Sequence, residues 1–231
     1  MPVDGKKLLA TIPFFRDIEP SLIDRLTPYM HHKTHRKGDL IFLEGDQGNE
    51  IYFIGSGSVS IYSFDKSKKV ILAYLREGEY FGEMALMKPG MVRSATAECL
   101  VQTKLYILRR HDFQLLIEND RNIAFHLLDY TMDRLRRANQ QIYDLTFLNV
   151  RLRMIKQLLY LAENYPIEGL NEFVIPVKIT HQQMAEMVGA ARETASKVLQ
   201  ELQDEGLIHI QDKLFHLKDI KLLRAKLLQE E

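Results

Sequence analysis

Along residues 33–108, short apolar runs alternate with polar breaks that contain glycine. The runs are LIFLEG, EIYFIGSGSVSIYSF, KVILAYL and LVQTKLYIL. The breaks include Lys37-Gly38-Asp39, Glu44-Gly45-Asp46, Gly55-Ser56-Gly57 and Glu77-Gly78-Glu79. Strands at this spacing, separated by residues that tolerate positive φ, predict a β-sandwich or barrel. Alternation is visible in Ile51-Tyr52-Phe53-Ile54 and Val59-Ser60-Ile61-Tyr62, in runs too short to say which face points inward.

From His111 to Asn149 the pattern changes to a helical one. No proline or glycine interrupts it, and straight-chain helix formers dominate. Leu128, Thr131, Leu135, Ala138, Ile142, Leu145 and Asn149 recur at alternating spacings of three and four, which is a heptad seam. A single helix of roughly 38 residues would be about 57 Å long. One barrel cannot cover that length, so the seam predicts a parallel partner helix and a homodimer; an ordinary domain helix lying along the barrel is the alternative. Val150 to Asn164 is a second amphipathic stretch that ends at Tyr165-Pro166, and FVIPVKI follows as a strand.

Residues 179–210, ITHQQMAEMVGAARETASKVLQELQDEGLIHI, predict a helix-turn-helix. Thr180 and Gln183 have capping-box spacing. Met184, Ala185, Met187 and Val188 form the inner face of a first short helix, and Gly189 makes the turn. A second helix runs from Arg192 to about Asp204 with Ala195, Val198, Leu199 and Leu202 inward. Its outer face carries Arg192, Glu193, Ser196 and Lys197. Arginine can pair bidentately with guanine, and glutamate can accept from cytosine N4. Leu207 to Ile210 returns as a strand towards a wing at Gln211-Asp212-Lys213. A solvated helix face with a Glu193–Lys197 pair is the alternative for the same residues.

Charge alone does not argue for nucleic acid: 31 lysines and arginines balance 31 aspartates and glutamates in 231 residues. Any positive field must therefore be local, built from a few side chains and helix N-termini. No stretch approaches the roughly 20 apolar residues of a membrane span. The N-terminal run lacks a signal-peptide pattern, so the expected location is the cytoplasm. The single cysteine, Cys99, excludes a disulfide framework and a cysteine-held iron–sulfur cluster within one chain.

The second chemical signal is FGEMALMKPGMVRSATAE, Phe81 to Glu98. Gly82 lets the backbone approach a ligand, and amides beside it, including that of Met84, can face a phosphate. Glu83 is an acceptor suited to a ribose 2′-hydroxyl. Arg93 offers a planar fork for phosphate oxygens and Ser94 a hydroxyl. A structural Glu83–Arg93 salt bridge would account for two of these residues without any ligand.

FGEMAL…RSATA resembles the phosphate-binding cassette of cyclic-nucleotide-binding domains. Together with the glycine spacing, the long helix ending in Phe147-Leu148-Asn149-Val150, and RETASKVL, the chain resembles the CRP–FNR superfamily over nearly all its length. The resemblance implies an α+β protein in three parts. Residues 1–110 form a cyclic-nucleotide-binding-type β-barrel (a double-stranded β-helix or jelly roll) with an N-terminal helix. Residues 111–149 form the dimerisation helix, and residues 150–231 a winged helix-turn-helix. It also implies a ligand set of Gly82, Glu83, Met84, Arg93, Ser94 and Asn139, with cyclic AMP or another cyclic nucleotide as effector and no metal. The implied DNA-facing set is Thr180, Gln182, Arg192, Glu193, Thr194, Ser196 and Lys197, on an inverted-repeat site. RNA polymerase is the further partner, near Asn164 to Asn171. Two departures stand out. Lys197 replaces an arginine of the best-known members. Ala138 and Asn139 replace the Thr-Ser pair that holds adenine in cAMP-binding members, and Ala138 cannot hydrogen-bond a base.

Other readings of the same residues remain. His31, His32 and His35 could serve a haem iron, another effector or none could act on the same fold, and the C-terminal domain could bind protein as part of a regulatory subunit. An enzyme is not indicated: His126 and Asp129 share a helix, but no nucleophile elbow, metal motif or nucleotide-hydrolysis loop accompanies them.

Overall fold

The computed structural model describes residues 12–15, 19–65, 68–86, 90–164, 173–175 and 178–230. The chain divides into two compact units, Met1–Arg136 and Arg137–Glu231.

In the first unit, a 3₁₀ turn (Pro13–Phe15) and helix α1 (Pro20–Leu26) precede eight strands. These are β1 (His31–His35), β2 (Leu40–Phe42), β3 (Glu50–Ser56), β4 (Ser58–Asp65), β5 (Lys68–Arg76), β6 (Tyr80–Phe81), β7 (Thr96–Cys99) and β8 (Thr103–Arg109). They form two four-stranded sheets, ordered β1-β8-β3-β6 and β2-β7-β4-β5, with every pairing antiparallel. This is the jelly-roll type of β-domain.

The face that the sequence leaves undecided is explained by the packing. On β3, Ile51 and Phe53 join a core with Phe14, Phe15, Ile23, Phe113 and Leu116, while Tyr52 and Ile54 join a core with Val59, Ile61, Leu75 and Phe81. On β8, Tyr106 and Leu108 take the first side and Leu105 and Ile107 the second. Both strands are buried on both faces, so their runs read as continuously apolar although the side chains alternate.

The single helix expected over residues 111–149 is instead broken. Helix α2 (Arg110–Asn119) ends at Asp120, which is extended (φ −140°, ψ 111°). Helix α3 (Arg121–Phe147) then begins, with the Asp120 carboxylate accepting from the Asn122 amide at 2.9 Å. Aspartate bonding its own neighbouring backbone competes with helix, and here it caps the next one. At 27 residues α3 is about 40 Å long rather than 57 Å. A second correction concerns Asn149. Its Oδ1 accepts from the Leu152 amide at 2.9 Å, so it caps helix α4 (Val150–Asn164) instead of ending the α3 seam.

The second unit adds β9 (Phe173–Ile175), helices α5 (His181–Val188) and α6 (Arg192–Asp204), strands β10 (Ile208–Gln211) and β11 (Leu214–Leu217), and helix α7 (Ile220–Glu230). The strands order as β10-β11-β9, antiparallel. Helices α4 to α7 and these strands enclose one core that includes Ile155, Leu158, Met184, Leu199, Phe215 and Leu223. Helix α7 has no counterpart among the sequence expectations. The Asn164–Asn171 segment named above falls largely outside the described residues.

Glu205, at the C-terminal end of α6, accepts from Lys226 of α7 at 2.7 Å and from Arg151 of α4 at 2.8 Å. The Lys226 hydrogen bond, reinforced by Arg151, holds its carboxyl below the ordinary 4.5. A depressed folded-state value means that the charged form favours folding above about pH 4.5, and that this contribution is lost as pH falls through the lower value. Melting temperature below pH 4.5 should therefore fall less steeply in Glu205→Gln than in the native protein. The Glu205 side chain is 37% exposed and screened by solvent, so the difference is small. Parallel acid-melting slopes would remove Glu205 from the account.

Candidate functional site

Three stretches of the first unit converge behind β6. Gly82 adopts φ 86°, and Glu83–Leu86 make one 3₁₀ turn. The positive φ favours glycine at 82, and a Cβ there would lie 2.6 Å from Arg93 Nη1 and 3.0 Å from the Glu50 carbonyl oxygen, displacing the guanidinium. Arg93 is fixed to the Gly45–Gly48 loop. Its amide donates to Asp46 O at 2.8 Å and its carbonyl accepts from Gly45 N at 2.9 Å. A Cβ at Gly48 would come 2.2 Å from that of Ala85 and 3.0 Å from Arg93 Nε. From the start of α2, Arg110 Nη2 donates to Gly48 O at 2.8 Å and Ala85 O at 2.5 Å, tying two of the stretches together.

Arg93 is 4% exposed. Its Nη1 donates to the Gly82 carbonyl at 2.9 Å, and the guanidinium lies 4.2 Å from the centre of the Phe42 ring. Its Nε is buried without a partner, and among the described residues no carboxylate forms an ion pair with it. Burial disfavours the charged form, which Tyr52, Glu50 and Glu83 in turn favour; an arginine nevertheless stays protonated. Withdrawing a cation from water is costly unless an anion compensates it. The place therefore suits an anion, and no described residue supplies one to Arg93.

Glu83, 8% exposed, does not pair with Arg93. Its Oε1 accepts from Arg134 Nη1 of α3 at 2.7 Å, and its Oε2 is buried without a partner. The Glu83–Arg93 bridge weighed from sequence is thus replaced by Glu83–Arg134. Ser94 Oγ donates to Met84 Sδ at 3.4 Å. Phe42, Ile61, Phe81 and Ala95 supply the apolar part of the wall.

Of the six ligand positions taken from the sequence, the structure brings five together: Gly82, Glu83, Met84, Arg93 and Ser94. Asn139 lies exposed on α3 in the second unit, beside exposed Ala138. Sequence reasoning missed Arg134, Tyr52 and Phe42. Arg134 lies on α3, far along the chain from the Phe81–Glu98 segment that carries the sequence signal. The three histidines of β1 alternate across the strand: His32 faces Tyr106 on one side, and His31 and His35 point to the other. Among the described residues no group of three or more His, Cys, Asp or Glu could hold a metal ion.

The second unit presents an exposed helix. Thr180 caps α5 in a complete capping box: its hydroxyl accepts from the Gln183 amide at 3.2 Å and Gln183 Oε1 accepts from the Thr180 amide at 2.9 Å. Gly189 ends α5 in the left-handed region (φ 64°), and a Cβ there would lie 2.8 Å from Leu145 Cδ2. Helix α6 buries Ala195, Val198, Leu199 and Leu202 and exposes Arg192, Glu193, Thr194 and Lys197. Ala191, its N-cap, has no side chain to bond the first-turn amides, so these can meet a phosphate. Gln182 is exposed and bonds Glu186 at 2.9 Å, whereas Ser196 is half-buried with its hydroxyl 3.0 Å from His181 Nδ1. Asp212 and Lys213 (φ 52° and 66°) turn the β10–β11 hairpin in two residues, forming the wing.

Two family models match this chain. Residues 32–120 match the cyclic nucleotide-binding domain, and residues 152–226 match the Crp-like helix-turn-helix domain. A CRP-like cAMP-activated global transcriptional regulator of Mycobacterium tuberculosis is 29% identical over 221 residues, spanning 95% of this chain and 98% of its own. The cyclic AMP receptor protein of Thermus thermophilus is 32% identical over 212 residues, spanning 91% and 94%. Among solved structures, the c-di-GMP-responsive global regulator CLP of Xanthomonas campestris superposes with a TM-score of 0.77 at 25% identity, over 87% of this chain and 100% of that one.

Proposed function

This chain belongs to the CRP–FNR superfamily of transcription regulators, and on that premise we propose that it is a homodimer that binds inverted-repeat DNA and is switched by a cyclic nucleotide, cyclic AMP first. It has a cyclic nucleotide-binding domain and a DNA-binding helix-turn-helix. Its relatives and its fold are those of transcription regulators, which are not enzymes. Among the described residues no helix is long and apolar enough to cross a membrane. We place the protein in the cytoplasm, with RNA polymerase as a further partner.

The observation that carries the effector reading is Arg93, a buried guanidinium with no ion-pair partner among the described residues. In the proposed complex it forks onto the phosphate, and the amides after Gly82 face the same oxygens. Ser94 exchanges the Met84 thioether for a phosphate oxygen. Sulfur is a weak acceptor, so little is lost in the exchange. Glu83 Oε2, buried without a partner, accepts from the ribose 2′-hydroxyl. Asn139 offers a donor and an acceptor to the base, where Ala138 offers none.

Titrating the protein into a fluorescent inverted-repeat duplex, alone and with cyclic AMP, cyclic GMP or cyclic di-GMP, tests the reading. Cyclic AMP should raise DNA affinity at least about tenfold, that is by roughly 1.4 kcal/mol. Tight binding without any nucleotide and no response to the three would sink the effector. Binding indifferent to sequence would sink the regulator.

Helix α6 is expected in the major groove, with half-sites about 10–10.5 bp apart. Arg192 reads a guanine and Glu193 the cytosine of a neighbouring pair. Thr194, Ser196 and Lys197, with Thr180 and Gln182, complete the contact face. In a selection from random half-sites, Glu193→Ala should relax preference at one base pair by about 1–3 kcal/mol and keep phosphate-driven binding. An unchanged preference would take Glu193 out of the reading set.

A further inference from the structure

We infer that Tyr52, braced by Glu50, is a positioning residue that aims the Arg93 guanidinium at its anion. The inference rests on reading Arg93 as the phosphate ligand. Tyr52 and Glu50 lie two apart on β3 and so share a face of the strand. The Tyr52 ring, 7% exposed, is stacked on Phe81 (5.2 Å, 13°) and packed against Phe42 at 5.7 Å. Phe42 is also the ring over which Arg93 lies. The Tyr52 hydroxyl donates to Glu50 Oε2 at 2.8 Å, and the Arg93 guanidinium carbon is 5.5 Å from the centre of the Tyr52 ring.

A phenol has one proton and two lone pairs. With its proton committed to Glu50, the hydroxyl oxygen has only lone pairs left to offer the neighbouring guanidinium, whose charged form Tyr52 favours. Among the described residues Arg93 has one other hydrogen-bond anchor, the Gly82 carbonyl, and its contact with the Phe42 ring leaves rotation in the ring plane free. Bidentate capture of a phosphate depends on that rotation. The arrangement also places Glu50 one hydroxyl away from the guanidinium rather than against it. A direct carboxylate pair would cancel the charge the anion needs, whereas a carboxylate acting through a phenol orients the cation and leaves most of its field available.

Tyr52→Phe removes one oxygen and keeps the ring stack. Its Kd for cyclic AMP should rise roughly three- to tenfold, the cost of one modest hydrogen bond. Discrimination between the Sp and Rp phosphorothioate analogues of cyclic AMP should shrink with it. These analogues differ only in which exocyclic oxygen is sulfur, so a change in their ratio reports aim rather than folding. Glu50→Gln, whose amide oxygen can still accept from Tyr52, should bind cyclic AMP as tightly as the native protein or more tightly, because a nearby negative charge is gone. Equal weakening in both variants, or native affinity and native discrimination in Tyr52→Phe, overturns the inference.

A measurement without nucleotide separates this inference from the effector itself. In arginine-labelled, ligand-free protein, the Arg93 Nη resonances (assigned by their loss in Arg93→Lys) should show slow rotation, and Tyr52→Phe should average them. If cyclic AMP binds neither protein but this difference is present, the effector reading fails and the positioning role stands. If the resonances are the same in both proteins, the positioning role is wrong, whatever binds.

Discussion

Replacing Leu135 and Ile142 with glutamate should convert the protein into a monomer whose affinity for an inverted repeat is at least about a hundredfold lower. Both side chains stand one heptad apart on α3 and are 60% and 62% exposed. Leu128, Met132 and Leu145 of the same helix are also exposed. Burying a leucine or isoleucine is worth about 1.5–3 kcal/mol, so two such residues from each chain contribute about 6–12 kcal/mol to a parallel seam. Glutamates facing their own copies across that seam would repel as well. A monomer engages one half-site at a time, and linking two binding modules raises avidity about 10²–10⁴-fold. Light scattering reports the mass and anisotropy reports the DNA affinity. A native protein that is monomeric at micromolar concentration with DNA present would refute the seam, as would a variant that stays dimeric.

The second large effect concerns Arg93. Cyclic AMP at a hundredfold excess over its dissociation constant should stabilise the native fold by about 2.7 kcal/mol. At roughly 2–4 °C per kcal/mol this is a melting shift of about 5–11 °C in the transition of the first unit. Arg93→Met should abolish the shift by weakening binding about 10²–10⁴-fold, since two charge-assisted hydrogen bonds of about 1.5–3 kcal/mol each are lost. Methionine is the informative replacement because Arg93 is buried on Phe42, and alanine would add a cavity to the loss of charge. The control is Arg134→Met. It strands the buried Glu83 carboxylate and should lower the melting temperature without any ligand, by an amount that Arg93→Met does not match. If the two variants exchange these behaviours, Glu83 pairs with Arg93 after all and the anion site is lost.

The DNA-binding half was the more legible in sequence because its determinants are local. The capping box of Thr180 and Gln183 spans four residues, the Gly189 turn is one residue, and the apolar stripe of α6 repeats within thirteen. The wing turn and the strand before it follow directly. Helix α7 was missed. Its KLLRAKLL run has little separation of apolar and polar faces, so periodicity carries no signal there; it is the core reached by Ile220 and Leu223 that defines its inner side.

The ligand cluster was legible only where it is compact along the chain. Gly82, Glu83, Met84, Arg93 and Ser94 fall within thirteen positions, and each residue type suggests its own chemistry. Their partners were not legible. Arg134 reaches Glu83 from 51 residues away, and Tyr52 and Phe42 reach Arg93 across similar distances, contacts that exist only once the two sheets close and α3 packs on them. The break at Asp120 and the cap at Asn149 were hidden for a related reason. Propensity summed over a window favours one helix, whereas the end of a helix is set by a single side chain turning back to its own backbone. Sequence alone therefore determined most of the elements, the exposed face of α6 and the grouping of Gly82, Glu83, Met84, Arg93 and Ser94, all products of short-range periodicity and side-chain chemistry. Tertiary structure alone decided which carboxylate pairs with which arginine, leaving Arg93 buried without a carboxylate partner among the described residues, because charge pairing inside a protein depends on long-range closure that no local pattern encodes.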